Sequence, residues 1–221
     1  MIPTHAVTST RMREIEAASE KLGVSTRTLM ENAGRGIAHV VMREFPHPAT
    51  TIILCGTGNN GGDGFVTARY LFQAGWNVKV LIAGEPEKLK GDARANFLEI
   101  QTLKVSIRIF SAATNLENLS AELKKADLLI DALFGTGLNR PVTEPVRSLI
   151  EALNRLERPV YSVDVPSGMD SDRGVIQGIC VKALRTLTLG LPKTGLYQGA
   201  GPDYAGQIEC VDIGLPPALL G

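Results

Sequence analysis

Two aspartates stand where apolar segments of the chain end, and both are candidates for chemistry. Asp131 lies near the end of the apolar run 127–133, and Asp164 near the end of the run 160–165. An unpaired carboxylate at a buried strand end costs on the order of several kcal/mol. Each side chain therefore needs a partner or a function. The alternatives are capping or loop bracing by Asp131, and hydrogen bonding by Asp164 to the turn that follows it.

A bound cation would compensate one of these carboxylates. Asn60 and Ser167 can supply neutral oxygens beside Asp131. One carboxylate among neutral oxygens is a low-charge site, which suits a monovalent ion better than Mg²⁺ or Ca²⁺. Asp164 is then the candidate general acid and base, because partial desolvation of a carboxyl in a closed pocket can raise its proton affinity toward working pH.

A glycine-rich segment precedes both aspartates. Gly56-x-Gly58-x-x-Gly61 has the spacing of the dinucleotide fingerprint, in which backbone N–H groups approach a pyrophosphate at a helix N-terminus. The acidic residue expected to bind ribose is poorly represented, with Glu85 the nearest candidate, so a plain glycine-rich turn is the alternative. Binding is favoured by polar side chains that a plain turn does not need: Asn59, Asn60 and Asp63.

Further candidates for phosphate recognition follow Asp131. Segment 135–141 offers backbone N–H groups and the guanidinium of Arg140, which can bind phosphate through two hydrogen bonds. Lys193 is a second cationic candidate. Arg140 alone reads equally well as a solvated surface residue.

The elements that must position these residues alternate between buried strands and helices. Seven short apolar runs predict strands at 51–55, 78–83, 105–110, 127–133, 160–165, 183–189 and 207–213. Helical spacing of apolar residues predicts two opening helices separated by Gly23, and further helices at 64–75, 87–103, 115–126 and 144–157. The Gly-rich stretch 195–206 is predicted to be a loop.

This alternation predicts an α/β fold. We expect a Rossmann-like, doubly wound, mostly parallel sheet in three α/β/α layers, with an N-terminal helical cap, and a single domain over residues 1–221. The strand order 3-2-1-4-5 would make strands one, four and five neighbours. The segments after those strands, 58–64, 134–141 and 166–170, would then converge on one pocket.

Bulk properties restrict the function classes. Twenty-three basic and twenty-three acidic residues cancel, which argues against nucleic acid as a partner. The three cysteines form no C-x-x-C pair, and the three histidines lie far from the motifs. No apolar run approaches the length of a membrane span, and no signal peptide is recognisable. We therefore expect a cytoplasmic protein without a membrane segment.

Three ordered motifs resemble the signatures of the NAD(P)H-hydrate epimerase family, also called the YjeF N-terminal domain family. They are residues 59–64 (Asn-Asn-Gly-Gly-Asp-Gly), 131–137 (Asp-Ala-Leu-Phe-Gly-Thr-Gly) and 164–168 (Asp-Val-Pro-Ser-Gly). The resemblance extends from the first helix to residues 212–216. It implies an isomerase that interconverts the R and S forms of hydrated NADH and NADPH for nucleotide repair.

The resemblance also implies roles for individual residues. Asp164 would be catalytic, by assisting either loss of the hydroxyl or ring opening. Potassium (K⁺) would bind to Asn60, Asp131 and Ser167. The implied substrate-binding residues are Asn59, Asn60, Gly61, Gly62, Asp63, Gly135, Thr136, Gly137, Leu138, Asn139, Arg140, Pro141 and Asp164. The implied partner is an ADP- or ATP-dependent NAD(P)H-hydrate dehydratase, which in many bacterial members is fused C-terminally, and a homodimer is expected.

Two other functions compete with this interpretation. An NAD-dependent dehydrogenase could use the Gly56–Gly61 spacing, but no hydride-transfer partner such as a Tyr-x-x-x-Lys pair is evident. A catalytically silent scaffold is the alternative from a different class. The presence of Asp63, Asp131 and Asp164 argues against the scaffold.

Overall fold

A seven-stranded sheet forms the centre of the computed structural model, which describes residues 2–220. The strands are β1 (Thr50–Cys55), β2 (Asn77–Ala83), β3 (Ser106–Phe110), β4 (Leu128–Ala132), β5 (Val160–Val163), β6 (Arg185–Leu189) and β7 (Gln207–Val211). Their order is β3-β2-β1-β4-β5-β6-β7, and every neighbouring pair is parallel. The order of strands one to five and the α/β class are confirmed, and the sheet is parallel throughout rather than mostly so.

Helices cover both faces of the sheet. They are α1 (Ser9–Lys21), α2 (Thr26–Glu44), α3 (Asn59–Gln73), α4 (Gly91–Thr102), α5 (Leu116–Leu123), α6 (Val146–Asn154) and the short α7 (Gly201–Tyr204). Helices α1 to α4 share one apolar core with the sheet, while α5 and α6 share the other. Successive residues of β1 show the division, since Ile53 belongs to the first core and Leu54 to the second.

The two opening helices form as the sequence predicts. Thr8 caps α1 and Ser25 caps α2 through side-chain oxygens, and Gly23 between them has φ +87°, which favours glycine. Helix α2 lies within the helical layer on one face of the sheet, rather than forming a cap outside that layer, because it packs along α3. An ideal Cβ on Gly34 would lie 2.4 Å from the Cβ of Val66, so glycine permits this close approach.

Two sequence predictions are wrong at the level of local structure. The segment 58–64 is not a loop, because α3 begins at Asn59 and not at residue 64. The stretch 195–206 contains α7 and most of a 3₁₀ turn over Thr194–Tyr197. Within residues 2–220, every helix falls short of the length and apolar content that a membrane crossing requires.

Candidate active site

The carboxyl ends of β1, β4 and β5 meet at one edge of the sheet, as expected for neighbouring parallel strands. The backbone N–H of Gly56 donates to the carbonyl of Ala132 at 2.9 Å. The backbone N–H of Phe134 donates to Ser167 Oγ at 2.8 Å. These two contacts join the three segments that the sequence analysis singled out.

The start of α3 is shaped by glycines that let the helix approach the sheet. An ideal Cβ on Gly61 would lie 2.0 Å from the carbonyl oxygen of Gly56, and one on Gly64 would lie 2.7 Å from Cys55 Sγ. Gly58 caps the helix without a side-chain hydrogen bond. The first N–H groups of α3, including those of Asn59 and Asn60, therefore point out of the helix without a side-chain cap, the arrangement that suits an anion.

Asn60 and Asp63 project from the first turns of α3, and both are 8% exposed. Asn60 Nδ2 is buried and has no hydrogen-bond partner among the described residues. Its amide lies against the next segment, since an ideal Cβ on Gly135 would lie 3.2 Å from Asn60 Oδ1. An unpartnered amide at a buried position is expected where a ligand completes the hydrogen bonding.

Asp131 is completely buried and holds the loops together. Its carboxylate accepts hydrogen bonds from Ser162 Oγ (2.9 Å), Ser167 N (2.9 Å), Ser167 Oγ (2.6 Å) and Leu133 N (3.2 Å). Burial raises the pKa of Asp131, and these hydrogen bonds oppose the rise. The loop-bracing role is therefore present. No ion pair of Asp131 forms among the described residues, so its charge has no cationic side chain beside it.

The surroundings of Asp131 fit a monovalent cation. Ser167 Oγ lies 2.6 Å from Asp131 Oδ1 and 3.1 Å from the carbonyl oxygen of Phe134, so three oxygens come together. The Asn60 amide lies against Gly135, one residue further along. Within residues 2–220 no three His, Cys, Asp or Glu side chains come together as metal ligands. A single carboxylate among neutral oxygens is the donor set expected for an ion of low charge.

Asp164 follows β5 directly and has an unusual backbone conformation. Its φ is +67°, in the left-handed region that non-glycine residues seldom occupy. Its backbone N–H donates to the carbonyl of Leu187 at 2.8 Å, and its Oδ1 accepts from Leu189 N at 3.3 Å. The strained backbone is thus held by β6 and directs the carboxyl toward the sheet edge.

Lys193 forms a buried ion pair with Asp164. Its ammonium lies 2.5 Å from Asp164 Oδ1 and donates to the carbonyl of Leu189 at 2.6 Å. The Lys193 side chain is only 1% exposed. The prediction that Lys193 binds phosphate is therefore wrong for this structure, because its ammonium is already engaged inside the protein.

Two more carboxyls interact with this ion pair. The pKa of Asp63 is raised well above its usual range by burial and by the charges of Asp164 and Glu16, while Lys193 acts in the opposite direction. Burial also raises the pKa of Glu16, on α1; Lys193 opposes this rise and the charge of Asp164 adds to it. The buried ion pair thus has two further acidic side chains near it, Asp63 and Glu16.

Sequence reasoning missed Glu16 and underestimated Lys193. A signal for Glu16 exists, since it follows Met12 by four residues and precedes Ser19 by three, and both of those are buried. This spacing places Glu16 on the inner stripe of α1. Lys193 carries no such signal, because it lies in an irregular Pro-Lys-Thr-Gly segment whose burial depends on tertiary contacts.

The segment after β4 is more open. Leu138 N donates to the carbonyl of Gly135 at 3.3 Å, which closes a turn. Arg140 forms no ion pair among the described residues and remains available to an external anion. Exposure is partial at Gly135, Thr136 and Leu138, and greater at Gly137, Asn139, Arg140 and Pro141.

The fold and the buried carboxyls define a Rossmann-like α/β domain whose polar site lies at the carboxyl edge of its sheet. The family model described as YjeF-related protein N-terminus matches residues 26–195. The chain belongs to this family.

Named relatives and a solved structure agree with this membership. A Thermofilum pendens protein named bifunctional NAD(P)H-hydrate repair enzyme Nnr is 40% identical over 203 residues, which are 92% of this chain and 38% of that protein. A Pirellula staleyi protein named NAD(P)H-hydrate epimerase is 37% identical over 93% of this chain and 90% of its own length. The crystal structure of yeast ynu0 superposes with a TM-score of 0.76 at 30% identity, covering 86% of this chain and 82% of its own. The chain spans about two fifths of the length of the bifunctional relatives.

Proposed function

We propose that this protein is an isomerase that interconverts the R and S forms of hydrated NADH and NADPH. The names of its relatives support the reaction, and Asp164 is the observation that carries it: a nearly buried carboxyl, held in a strained conformation at the sheet edge. A proton-transfer group in such a place fits a reaction that removes and restores a hydroxyl.

We propose that the substrate lies between the start of α3 and the segment after β4. The uncapped N-terminus of α3 suits a phosphate group, and Arg140 supplies an exposed cation on the segment after β4. The substrate-binding set is then residues 59–63 and 135–141 together with Asp164. Gly61 and Gly62 would contribute backbone only, because glycine has no side chain, and a Cβ at either position would collide with Gly56 or Met30.

Asp164 is proposed to act as the general acid and base. The inverted carbon bears a hydroxyl and the ring nitrogen, so the nitrogen lone pair assists departure of the hydroxyl while Asp164 protonates it. Water then returns to either face of the ring and gives its proton back to Asp164. Opening and reclosure of the ring is the alternative route, and the same carboxyl can serve it.

Asn60, Asp131 and Ser167 are proposed to hold potassium. The ion would compensate the buried charge of Asp131 and fix the segments after β4 and β5 relative to each other. For Asn60 this requires the amide to turn so that its oxygen faces Ser167, and Nδ2 has no partner to lose.

The biological setting follows from the relatives' names and stays a prediction. Their description as bifunctional repair enzymes supports coupling to an NAD(P)H-hydrate dehydratase that consumes the S form. A homodimer and a cytoplasmic location also stay predictions.

An epimerisation assay tests the proposal. Hydrated NADH enriched in the R form is incubated with the purified protein in potassium or in choline salts, and the R-to-S ratio is followed by chromatography. We expect faster approach to equilibrium in potassium. A ratio that changes only at the background rate would refute the function and favour a scaffold, and equal rates in both salts would refute the ion.

Asp164→Asn tests the catalytic residue in the same assay. Loss of a general acid–base group should lower kcat by on the order of 100-fold or more. Asp203→Asn is the matched control, since that carboxyl is exposed on α7 and should leave the rate unchanged. Circular dichroism confirms folding of both variants. Full activity of folded Asp164→Asn would exclude this assignment while leaving the reaction itself intact.

A further inference from the structure

The ion pair with Lys193 engages only one of the two carboxylate oxygens of Asp164. Oδ1 receives the ammonium of Lys193 at 2.5 Å and the N–H of Leu189 at 3.3 Å. Oδ2 accepts no hydrogen bond from the described residues, and the Asp164 side chain retains 11% exposure. One oxygen is therefore anchored inside the protein while the other is free to face a ligand.

The main chain around Lys193 is fixed by the segment before α1. Val7 N donates to the carbonyl of Pro192 at 2.8 Å, and Thr194 N donates to the carbonyl of Val7 at 3.0 Å. These bonds form a parallel bridge between Val7 and Lys193. Lys193 is thus held at both ends, at its backbone by the bridge to Val7 and at its ammonium by the carbonyl of Leu189.

The energetic cost of this pair suggests a function. A lysine and an aspartate that are almost fully buried lose most of their hydration, and apolar side chains of similar size are often as stable. A buried ammonium can instead hold one oxygen of a carboxylate in place by direct attraction.

We propose that Lys193 is a positioning residue for catalysis, which anchors Oδ1 of Asp164 so that Oδ2 faces the substrate and exchanges a proton with it. This inference rests on the proposed function. Lys193 itself does not contact the substrate, since its ammonium is enclosed by protein.

Other titratable groups face the pair from three elements. Asp63 approaches from α3, Glu16 from α1 and Cys210 from β7. Lys193 is the cation that acts on all three. Burial raises the pKa of each group, and the charge of Lys193 opposes that rise. Removal of Lys193 would leave Asp164 near the acidic side chains of Asp63 and Glu16 without this cation.

Lys193→Met tests the proposal in the epimerisation assay. We expect kcat to fall on the order of 100-fold, while KM stays within about threefold, because the substrate contacts remain. The limb of the kcat/KM profile that reports Asp164 should move to higher pH, since a carboxylate without a neighbouring cation holds its proton more tightly. Lys125→Met is the matched control, because Lys125 is exposed beyond the end of α5.

A double variant separates positioning from a purely structural role. If Lys193 acts through Asp164, then Lys193→Met should cause little further loss in a protein that already carries Asp164→Asn. Lys193→Gln replaces Lys193→Met if the latter does not fold, because it retains a hydrogen-bond donor without the charge. Independent, multiplying losses, an unmoved Asp164-dependent limb of the kcat/KM profile or a loss confined to KM would overturn the proposal.

A measurement without substrate keeps this inference distinct from the proposed function. Carboxyl-labelled aspartate is followed by NMR through a pH titration of the wild type and of Lys193→Met. We expect the Asp164 titration midpoint to rise in the variant. An unchanged midpoint would refute the role of Lys193 even in an active enzyme, whereas a shifted midpoint in a protein without epimerase activity would refute only the reaction.

Discussion

Asp63 is a buried residue whose negative charge opposes folding. Burial, followed by the charges of Asp164 and Glu16, raises its pKa in the folded protein well above its usual range. An aspartate in the unfolded chain has a pKa of about 3.9. Between these two values the folded state binds more protons than the unfolded state. The stabilisation that comes from protonated Asp63 is therefore complete below the unfolded pKa and is lost as pH rises through the folded pKa.

Asp63→Asn should remove this pH dependence. The uncharged amide has about the same size, so the variant gains stability relative to the wild type as pH rises from about 4 to about 8. Urea denaturation across that range measures the difference between the two proteins, in which the contributions of groups that do not interact with Asp63 cancel. A difference that is constant with pH would contradict the raised pKa of Asp63.

At the residue scale the sequence predicts part of the site. Asp131 and Asp164 are found because a carboxylate at the end of an apolar strand is conspicuous, and Ser167 follows them in a recognisable motif. The partner of Asp164 is not found, because 28 residues separate it from Lys193 in the chain and no periodic pattern links the two positions. Pairing of this kind depends on the finished fold.

At the scale of elements, the strands are predicted well and the start of α3 is not. Apolar runs identify all seven strands, because both faces of a parallel sheet are buried. Segment 59–64 contains three glycines and two asparagines, which have low intrinsic helix propensity and therefore read as a loop. Close packing against β1 and β4 overrides this preference, and only tertiary structure reveals it.

Gly61→Ala tests the importance of that packing. An added Cβ would lie 2.0 Å from the Gly56 carbonyl oxygen, a backbone atom that cannot move without shifting β1. We expect a loss of about 3 kcal/mol in the free energy of unfolding. Gly58→Ala is the control, because its Cβ would meet no atom within 4 Å and should cost less than about 1 kcal/mol. Equal losses in the two variants, measured by urea denaturation, would disprove the packing argument.

At the scale of the whole molecule, two apolar cores share one sheet. Trp76, the only tryptophan, lies in the core on the side of α1 to α4, while Leu149 of α6 is completely buried in the other. Alternate residues of β1, β2, β4 and β5 contribute to opposite cores. The two sides should therefore unfold together, as the prediction of a single domain requires.

Leu149→Ala tests this coupling, because Leu149 lies in the core opposite to the one that contains Trp76, the fluorescent probe. The cavity should lower the free energy of unfolding by about 2–5 kcal/mol. Fluorescence of Trp76 and far-ultraviolet circular dichroism should then report the same shifted midpoint. A fluorescence transition that keeps the wild-type midpoint while circular dichroism changes would show that the two cores unfold separately.

The position of Glu16 also affects how relatives of this protein are classified. The family model begins at residue 26, yet this carboxyl, ten residues earlier, reaches the charged cluster around Asp164. Two chains can therefore score equally against the model while differing at this position. Inspection of the first helix for an acidic side chain on its inner stripe would divide such chains into groups that the shared motifs alone leave merged.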